Sequence, residues 1–281
     1  MNVLFTGRGS AGSWQIRGQQ LASAIEGATA LPQAAYGHIV DCDIVVAVKR
    51  LPQDLVRHVR GAGKPWVWDI VDFYPQPLCT HWTRSEAISW VRQQIATHNP
   101  TAVVWPNQRM REDCDDGRPG IVLYHHHRPG LQAIPVNEAL RHVAYEGAAT
   151  YLGQWLPALH QSCAARGAQL LVNPPSMRVA DVVVALRDKP FGGYAQRHWK
   201  SNVKLANAQA LGAVFIAQRE CGYAETAIGA EIWVETAKDL PAALEQAADR
   251  AFRAAAQAKA LAAAYPLRQA AADLAGFLYE L

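Results

Sequence analysis

Short apolar runs alternate along the chain with longer stretches in which apolar positions recur at helical spacing. Strands of a parallel sheet covered on both faces are buried on both sides, so they read as continuous apolar runs. The alternation is therefore typical of a doubly wound α/β sheet. In the first half it predicts strands at residues 3–5, 44–48, 66–70, 102–105 and 121–124, with helices near 16–25, 53–60 and 85–96.

The same pattern starts again after a stretch rich in helix and strand breakers, from Arg128 to Pro135. The second series predicts strands at 142–145, 169–172, 182–186, 213–217 and 232–234, with helices near 152–166, 202–211 and 241–264. Pro266 then separates a last helix over 267–281. We therefore predict two Rossmann-like doubly wound domains, residues 1–133 and 134–281, facing a cleft. Ligands of such sheets bind at the carboxyl ends of the strands.

Composition narrows the class of protein. The 281 residues are 50% hydrophobic and 18% charged, which suits a buried core, and the net charge of +3 is too small to indicate a nucleic-acid or membrane partner by itself. The five cysteines lack any CxxC pair, so neither a disulfide framework nor a zinc cluster is indicated. The start shows no export signal and no run is long enough to span a membrane, so a cytoplasmic protein is expected.

A glycine loop follows the first predicted strand and opens a helix. Its backbone N–H groups are suited to hold an anion or to let a sugar approach closely, although a tight turn without a ligand explains it as well. A dinucleotide site is disfavoured because the second strand ends in Lys49 and Arg50 and not in an acid. The candidate residues of this acceptor-side loop are Gly9, Ser10, Gly12, Ser13 and Arg17.

Two carboxylates and a histidine lie at strand ends of the first half. Asp69 and Asp72 end the third strand, and either can act as a general base if it is partly desolvated; the alternative is a cap or a partner for an arginine. His125 opens a run of three histidines after the fifth strand. Adjacent histidines point to alternating sides, so a shared metal ion is not expected, and contact with substrate or a plain surface position are the open alternatives.

In the second half, the loop that follows the strand at 142–145 contains Tyr145, Glu146 and Gly147, and its amides are suited to phosphate. Lys200 and Lys204 are four residues apart, which places both on one face at the start of a predicted helix. Such cations can meet a diphosphate, but two lysines on a helix are also typical of a solvated face.

The order of these motifs resembles the GT-B superfamily of nucleotide-sugar glycosyltransferases. In the first half, the run from Gly63 to Asp69 (GKPWVWD) is similar to the GKPVVxD run of its acceptor-side domain. In the second half, Lys204 to Val214 (KLANAQALGAV) is similar to the donor-side KLxEAxAxGxPV segment, with Glu225 in the place of the carboxylate one loop later. The two glutamates eight residues apart that retaining members commonly carry are replaced here by Trp199 and Asn207.

The resemblance implies a transfer of sugar from a nucleotide-diphosphate donor, UDP-sugar favoured, to a hydroxyl acceptor, with no bound metal or other cofactor. It also implies that the final helix crosses back over the first domain. Asp72 is the expected base, with Asp69 and His125 as further candidates. The residues expected to bind the donor are Lys200, Lys204, Arg187, Asn207, Tyr145, Glu146, Gly147, Tyr223 and Glu225.

The acceptor is not identified by these motifs, nor is the oligomeric state. A hydroxymethylated pyrimidine in DNA is one candidate, because some phage DNA glucosyltransferases have this two-domain form. A nucleotide-sugar epimerase of the same fold and a non-catalytic nucleotide-sugar-binding protein are the alternative functions. The side chains expected to line a DNA groove are Arg8, Arg17, Lys49, Arg50, Arg84, Arg109 and Arg111, with Trp14, Trp82 and Trp105 nearby.

Overall fold

The computed structural model describes residues 1–9, 12–72 and 82–281, so Ser10 lies outside the described residues. Two parallel sheets form the frame, with strand orders β2-β1-β3-β4-β5-β6 and β11-β10-β9-β7-β8. The strands are β1 Val3–Gly7, β2 Ala28–Ala30, β3 Ile44–Val48, β4 Trp66–Asp69, β5 Ala102–Trp105, β6 Gly120–Val122, β7 His142–Tyr145, β8 Gln169–Val172, β9 Val182–Ala185, β10 Val214–Ala217 and β11 Ile232–Trp233.

Helices connect successive strands and cover the sheets. They are α1 Gly12–Trp14, α2 Leu21–Ala24, α3 Tyr36–Val40, α4 Gln53–Ala62, α5 Arg84–His98, α6 Gln108–Cys114, α7 Trp155–Ala164, α8 Tyr194–His198, α9 Val203–Leu211, α10 Cys221–Glu225, α11 Leu240–Ala248, α12 Arg250–Ala263 and α13 Leu267–Tyr279. A π-helical stretch, Gln15–Gln20, joins α1 to α2. Within the described ranges no helix has both the length and the apolar character needed to cross a membrane.

The predicted fold class is confirmed: every apolar run that predicted a strand forms one, with end shifts of one or two residues. The strands β1, β3, β4 and β5 are buried along their whole length, as expected for a sheet covered on both faces. The edge strand β2 was not predicted because its three residues, Ala-Thr-Ala, are partly or fully exposed and give no apolar run.

A buried ion pair lies under the helix that follows β1. Arg17 Nε donates to Asp69 Oδ2 over 2.7 Å, and both side chains are fully inaccessible to solvent. The guanidinium also donates to the Leu123 carbonyl over 3.1 Å. It therefore connects the helix after β1 to the ends of β4 and β6. Gly18 permits the close packing here, since a Cβ at that position would lie 2.5 Å from the Trp14 ring.

Loss of this ion pair should destabilise the whole first domain. We expect Asp69→Ala to lower the free energy of unfolding by about 3–5 kcal/mol, because it leaves the Arg17 charge buried without a partner. The matched control is Asp54→Ala, which removes the exposed Asp54–Arg57 pair and should cost less than about 1 kcal/mol. Urea unfolding of both variants measures the difference, and equal losses would contradict the structural role of Asp69.

Two segments of the second half pack against the core of the first. Helix α13 buries Ala270, Leu274 and Leu278 in that core, so the expected crossing back of the final helix is confirmed. Helix α8 and the residue that follows it also join the first core, through Ala195 and Trp199. The proposed boundary between residues 133 and 134 therefore separates the two sheets, while both of these later segments pack on the first domain.

Each sheet has one point at which the strand order reverses. In the first sheet β1 lies between β2 and β3, and in the second β7 lies between β8 and β9. The loops that leave the two strands beside a reversal run to opposite faces of the sheet, which opens a crevice at the carboxyl end. The two crevices lie between β1 and β3 and between β7 and β9, and the candidate site residues cluster at both.

Candidate active site

Lys204 is the central cation of the crevice between β7 and β9. It is the second residue of α9, and its Nζ lies 4.4 Å from the centre of the Tyr145 ring. The ammonium is also next to Gly147, where an added Cβ would lie 3.4 Å from Nζ. Among the described residues it has neither a hydrogen-bond acceptor nor an ion-pair partner. Burial, together with the nearby charge of Arg187, lowers the pKa of Lys204 to about 8.

Arg187 supplies a second positive charge in this crevice. It follows β9, and its backbone N–H donates to Gln218 Oε1 over 2.7 Å. Its Nε lies 3.4 Å from Glu220 Oε1, and the other oxygen of that buried carboxylate has no partner among the described residues. The crevice therefore contains two positive charges, on Arg187 and Lys204, and one negative charge, on Glu220. The net positive charge makes the crevice suited to an anion.

The loop after β7 shapes this crevice differently from the expectation. The Gly147 N–H donates to Asn173 Oδ1 over 2.8 Å, so that amide is not available to a phosphate. Tyr145 is buried beneath Lys204 and donates its hydroxyl to the Ala148 carbonyl, while Glu146 is paired with Arg128. Gly147 has φ +146°, which L side chains rarely adopt, and it keeps the space beside the ammonium open.

Lys200 does not share a helical face with Lys204, contrary to the sequence prediction, because α9 begins only at Val203. Its Nζ instead reaches across to the first domain and lies 2.9 Å from Asp72 Oδ2. Lys49 approaches the other oxygen of the same carboxylate, at 2.5 Å. Burial alone would raise the pKa of Asp72, but the two ammonium groups outweigh it and hold that pKa far below its usual range.

Two residues next to the Asp72 carboxylate, one after each of two neighbouring strands, have a strained backbone. Lys49, directly after β3, has φ +63°, and Val71, directly before Asp72, has φ +67°. A β-branched residue in the left-handed region is costly, and such strain concentrates at functional sites. The Val71 N–H donates to Asp69 Oδ1 over 3.1 Å, which fixes the turn. The turn places Asp72 beyond the strand end and between the two lysines.

His125 lies nearby in the interface between the domains. The residue is 2% exposed, and neither ring nitrogen has a hydrogen-bond partner among the described residues. The backbone N–H donates to Asn202 Oδ1 over 2.8 Å, which fixes the residue against the segment before α9. Burial and the charge of Arg17 hold the pKa of His125 well below its usual range, so the imidazole is neutral.

Several expected contacts are not formed. Asp69 and Arg17 are bound to each other in the core, which removes Asp69 as a base and Arg17 from the acceptor loop. Asn207 is 5% exposed and its Oδ1 accepts the backbone N–H of Arg128, so it holds the linker rather than a ribose. Tyr223 is buried against Phe215, and burial together with the nearby Glu220 carboxylate raises the pKa of its hydroxyl, which lies next to the crevice residues Arg187 and Tyr145.

Glu225 is the largest departure from the expected donor site. Its carboxylate accepts the backbone N–H groups of Gln108 and Arg109 over 2.8 and 2.9 Å, at the start of α6 in the first domain. The Tyr124 hydroxyl donates to it over 3.0 Å. A carboxylate at a helix N-terminus is stabilised by the free N–H groups there, so Glu225 joins the two domains, and both of its oxygens accept hydrogen bonds from the first domain.

The glycine loop and Lys49 line a cavity of about 240 Å³ in the crevice between β1 and β3. Gly9, with φ +97°, and Ser13 belong to its wall, while Gly12 is exposed. The expected DNA groove is partly wrong, because Arg17, Trp14 and Trp105 are buried in the core. Arg84 and Arg109 in turn pair with the buried carboxylate of Asp113.

Sequence reasoning assigned no role to Asn202 or Glu220, and it assigned Lys49 to a DNA groove and not to Asp72. Lys49 follows an apolar strand without an intervening residue, which is the available signal for a group at a crevice. Asn202 offered no signal, because its partner, the backbone of His125, lies in the other half of the chain.

No protein-family model matches the chain, and no curated protein is detectably similar to it in sequence. Solved structures are similar over its whole length. HepE from Anabaena, in complex with UDP and glucose, superposes with a TM-score of 0.65 at 13% identity over 100% of both chains. AviGT4, a glycosyltransferase involved in avilamycin A biosynthesis, gives 0.56 at 10% identity over 100% of this chain and 98% of its own.

MurG from Acinetobacter baumannii gives a TM-score of 0.54 at 13% identity, over 100% of this chain and 99% of its own. At these identities the similarity shows the fold. The two parallel sheets with their covering helices match these structures, and the chain has the GT-B fold.

Proposed function

We propose that the protein is a glycosyltransferase that moves a sugar from a nucleotide-diphosphate donor, a UDP-sugar being favoured, to a hydroxyl acceptor. The observation that carries the proposal is the Lys204 ammonium, which has no ionic partner among the described residues and lies beside Arg187 at the carboxyl end of the second sheet. The structurally similar HepE has been solved with UDP and glucose and with UDP-glucose, which supports a donor of this class.

The donor side would stabilise the leaving group. Breaking the bond between the anomeric carbon and the phosphate leaves negative charge on the diphosphate, and fixed cations in a partly dry site stabilise that charge strongly. Lys204 and Arg187 supply two positive charges where a metal ion would otherwise be needed. We therefore propose transfer that is independent of a metal.

The acceptor side would supply the base. Asp72 is ionised and lies beyond the carboxyl end of β4, next to the interface with the donor domain. Because Lys200 belongs to the donor domain and holds Asp72, a bound diphosphate competes with Asp72 for the same ammonium. Movement of Lys200 towards the phosphate raises the pKa of Asp72 and makes it a stronger base. The neutral imidazole of His125 is the second candidate base.

The hydroxymethylpyrimidine of DNA is one acceptor for this reaction, supported by Arg8, Lys49 and Arg50 at the first crevice. It has less support than the sequence indicated, since Arg17, Trp14 and Trp105 are in the core.

A thermal-shift screen tests the donor assignment. UDP, GDP, ADP, CMP and their sugar conjugates are compared with and without magnesium, in EDTA where magnesium is omitted. We expect one nucleoside diphosphate to raise the melting temperature equally in both conditions. No shift with any nucleotide at millimolar concentration would overturn the proposal, and a shift that requires magnesium would overturn its metal independence. Conversion of the bound donor to its epimer without an acceptor would identify an epimerase instead.

A further inference from the structure

Two cavities lie side by side on the first domain, away from the crevice assigned to the diphosphate. The smaller, of about 240 Å³, is lined by Arg8, Gly9, Ser13, Trp14, Val48, Lys49 and Arg50. The larger, of about 450 Å³, is lined by Gly7, Arg8, Gln33, Ala34, Ala35, Pro52, Asp54, Leu55 and His58. Arg8 belongs to both walls, so the cavities form one groove along the carboxyl ends of β1 and β3 with a guanidinium at its middle.

The charge of this groove is positive. Among the described residues, the wall of the smaller cavity contains Arg8, Lys49 and Arg50 and no acidic side chain, although Lys49 is paired with Asp72 beside it. Asp54 is the acidic side chain in the wall of the larger cavity, and its carboxylate is bound by Arg57. Arg8 is exposed and has no ion-pair partner among the described residues, so its charge is available to a ligand.

His58 also lines the larger cavity. Its Nδ1 is buried and has no hydrogen-bond partner among the described residues.

The smaller cavity is connected to the candidate base. Lys49 lines the cavity and its Nζ lies 2.5 Å from Asp72 Oδ1. The side chain of Lys49 therefore joins the wall of the cavity to the candidate base. Gly9, in the same wall, packs closely on Pro32, since a Cβ there would lie 3.0 Å from Pro32 Cβ.

We propose that the acceptor is a sugar or sugar-like hydroxyl compound that carries a phosphate or carboxylate, and that Arg8 binds this anionic group. The inference rests on the proposed function, since it names the acceptor class of the same reaction. The volumes of the two cavities suit a group of one or two sugar rings. Duplex DNA presents the same phosphate chemistry on a rod too wide to enter them, so a compact anion is favoured.

The test measures binding of matched probes while saturating UDP fills the donor site, so that the anions cannot bind at Lys204. Glucose 6-phosphate and glucuronate are compared with glucose by ligand-observed NMR and titration calorimetry. We expect the two anions to bind at least tenfold more tightly than glucose. Arg8→Gln should weaken both anions about 10- to 100-fold, the range of a lost charge-assisted hydrogen bond, and leave UDP affinity unchanged. Arg178→Gln, an exposed arginine of the second domain, is the matched control.

The outcomes separate the two proposals. Failure of UDP itself to bind overturns the proposed function. Tight UDP binding with equal affinity for glucose and its anions, or an anion affinity that Arg8→Gln leaves unchanged, overturns the inference alone. A further arm uses a short duplex with hydroxymethylcytosine. If that duplex binds in an Arg8-dependent manner and the sugar anions do not, the compact acceptor is wrong and DNA takes its place.

Discussion

Lys204→Met should lower kcat by roughly 10²- to 10³-fold, the effect of removing one fixed group that stabilises transition-state charge. The ammonium lies 4.4 Å from the Tyr145 ring centre and forms no ion pair with a described residue. Its loss therefore removes a positive charge from the ligand site and breaks no ion pair within the described part of the protein. Release of UDP from a UDP-sugar measures the change. Lys259→Met, an exposed lysine on α12, is the control and should leave kcat unchanged. Equal turnover of the two variants would contradict the assignment.

The pH dependence of UDP binding is a second, independent test of the role of Lys204. The pKa of Lys204 is lowered to about 8 in the free protein, so the cation is lost as the pH rises through that value. The dissociation constant of UDP should therefore increase by up to about tenfold for each pH unit above 8, until the pKa of the complex is reached. Lys204→Arg keeps its charge throughout this range and should remove the dependence. A wild-type profile that stays flat between pH 8 and 9.5 would show that another group holds the diphosphate.

Asp72→Asn should lower kcat by roughly 10²- to 10⁴-fold, the usual contribution of a general base. It should not weaken the donor. The amide cannot hold the two ammonium groups of Lys49 and Lys200, so Lys200 is free to meet the phosphate and UDP affinity should be equal or higher. Steady-state kinetics and calorimetry on one preparation separate these effects.

His125→Gln is the control that decides between the two candidate bases. If it lowers kcat to the extent expected for Asp72→Asn, while Asp72→Asn keeps most of the activity, then the imidazole is the base and the carboxylate only positions the lysines. Far-ultraviolet circular dichroism and the melting temperature of both variants show whether either loss comes from unfolding.

Local sequence was sufficient to predict the frame of the protein. Runs such as 44–48 and 182–186 are apolar at every position because both faces of the sheet are covered, and β3 and β9 lie there. The split of the predicted helix at 241–264 was missed. Asp249 leaves the helical conformation, with ψ 118°, and its side chain accepts the Ala251 N–H to start α12. An aspartate favours such an N-cap, but the alanines around it hide the signal.

The candidate site could be predicted only where each residue acts through its own strand end. Arg187 and Asp72 were predicted in this way, whereas Lys204 was predicted from its place at the start of a helix and from the GT-B resemblance. The role of Glu225 could not be predicted, because the N–H groups that it accepts start a helix more than a hundred residues earlier. The burial of Asp69 likewise depends on Arg17, which enters from the helix after β1. Both partners are set by tertiary packing, which a local motif does not contain.

A crystal structure with UDP, grown in EDTA, tests the central claim most directly. The account predicts the diphosphate in the crevice between β7 and β9, with a phosphate oxygen within hydrogen-bond distance of Lys204 Nζ and with Lys200 moved away from Asp72. UDP bound at the first crevice, or at the second with Lys204 still free of contact to phosphate, would contradict it.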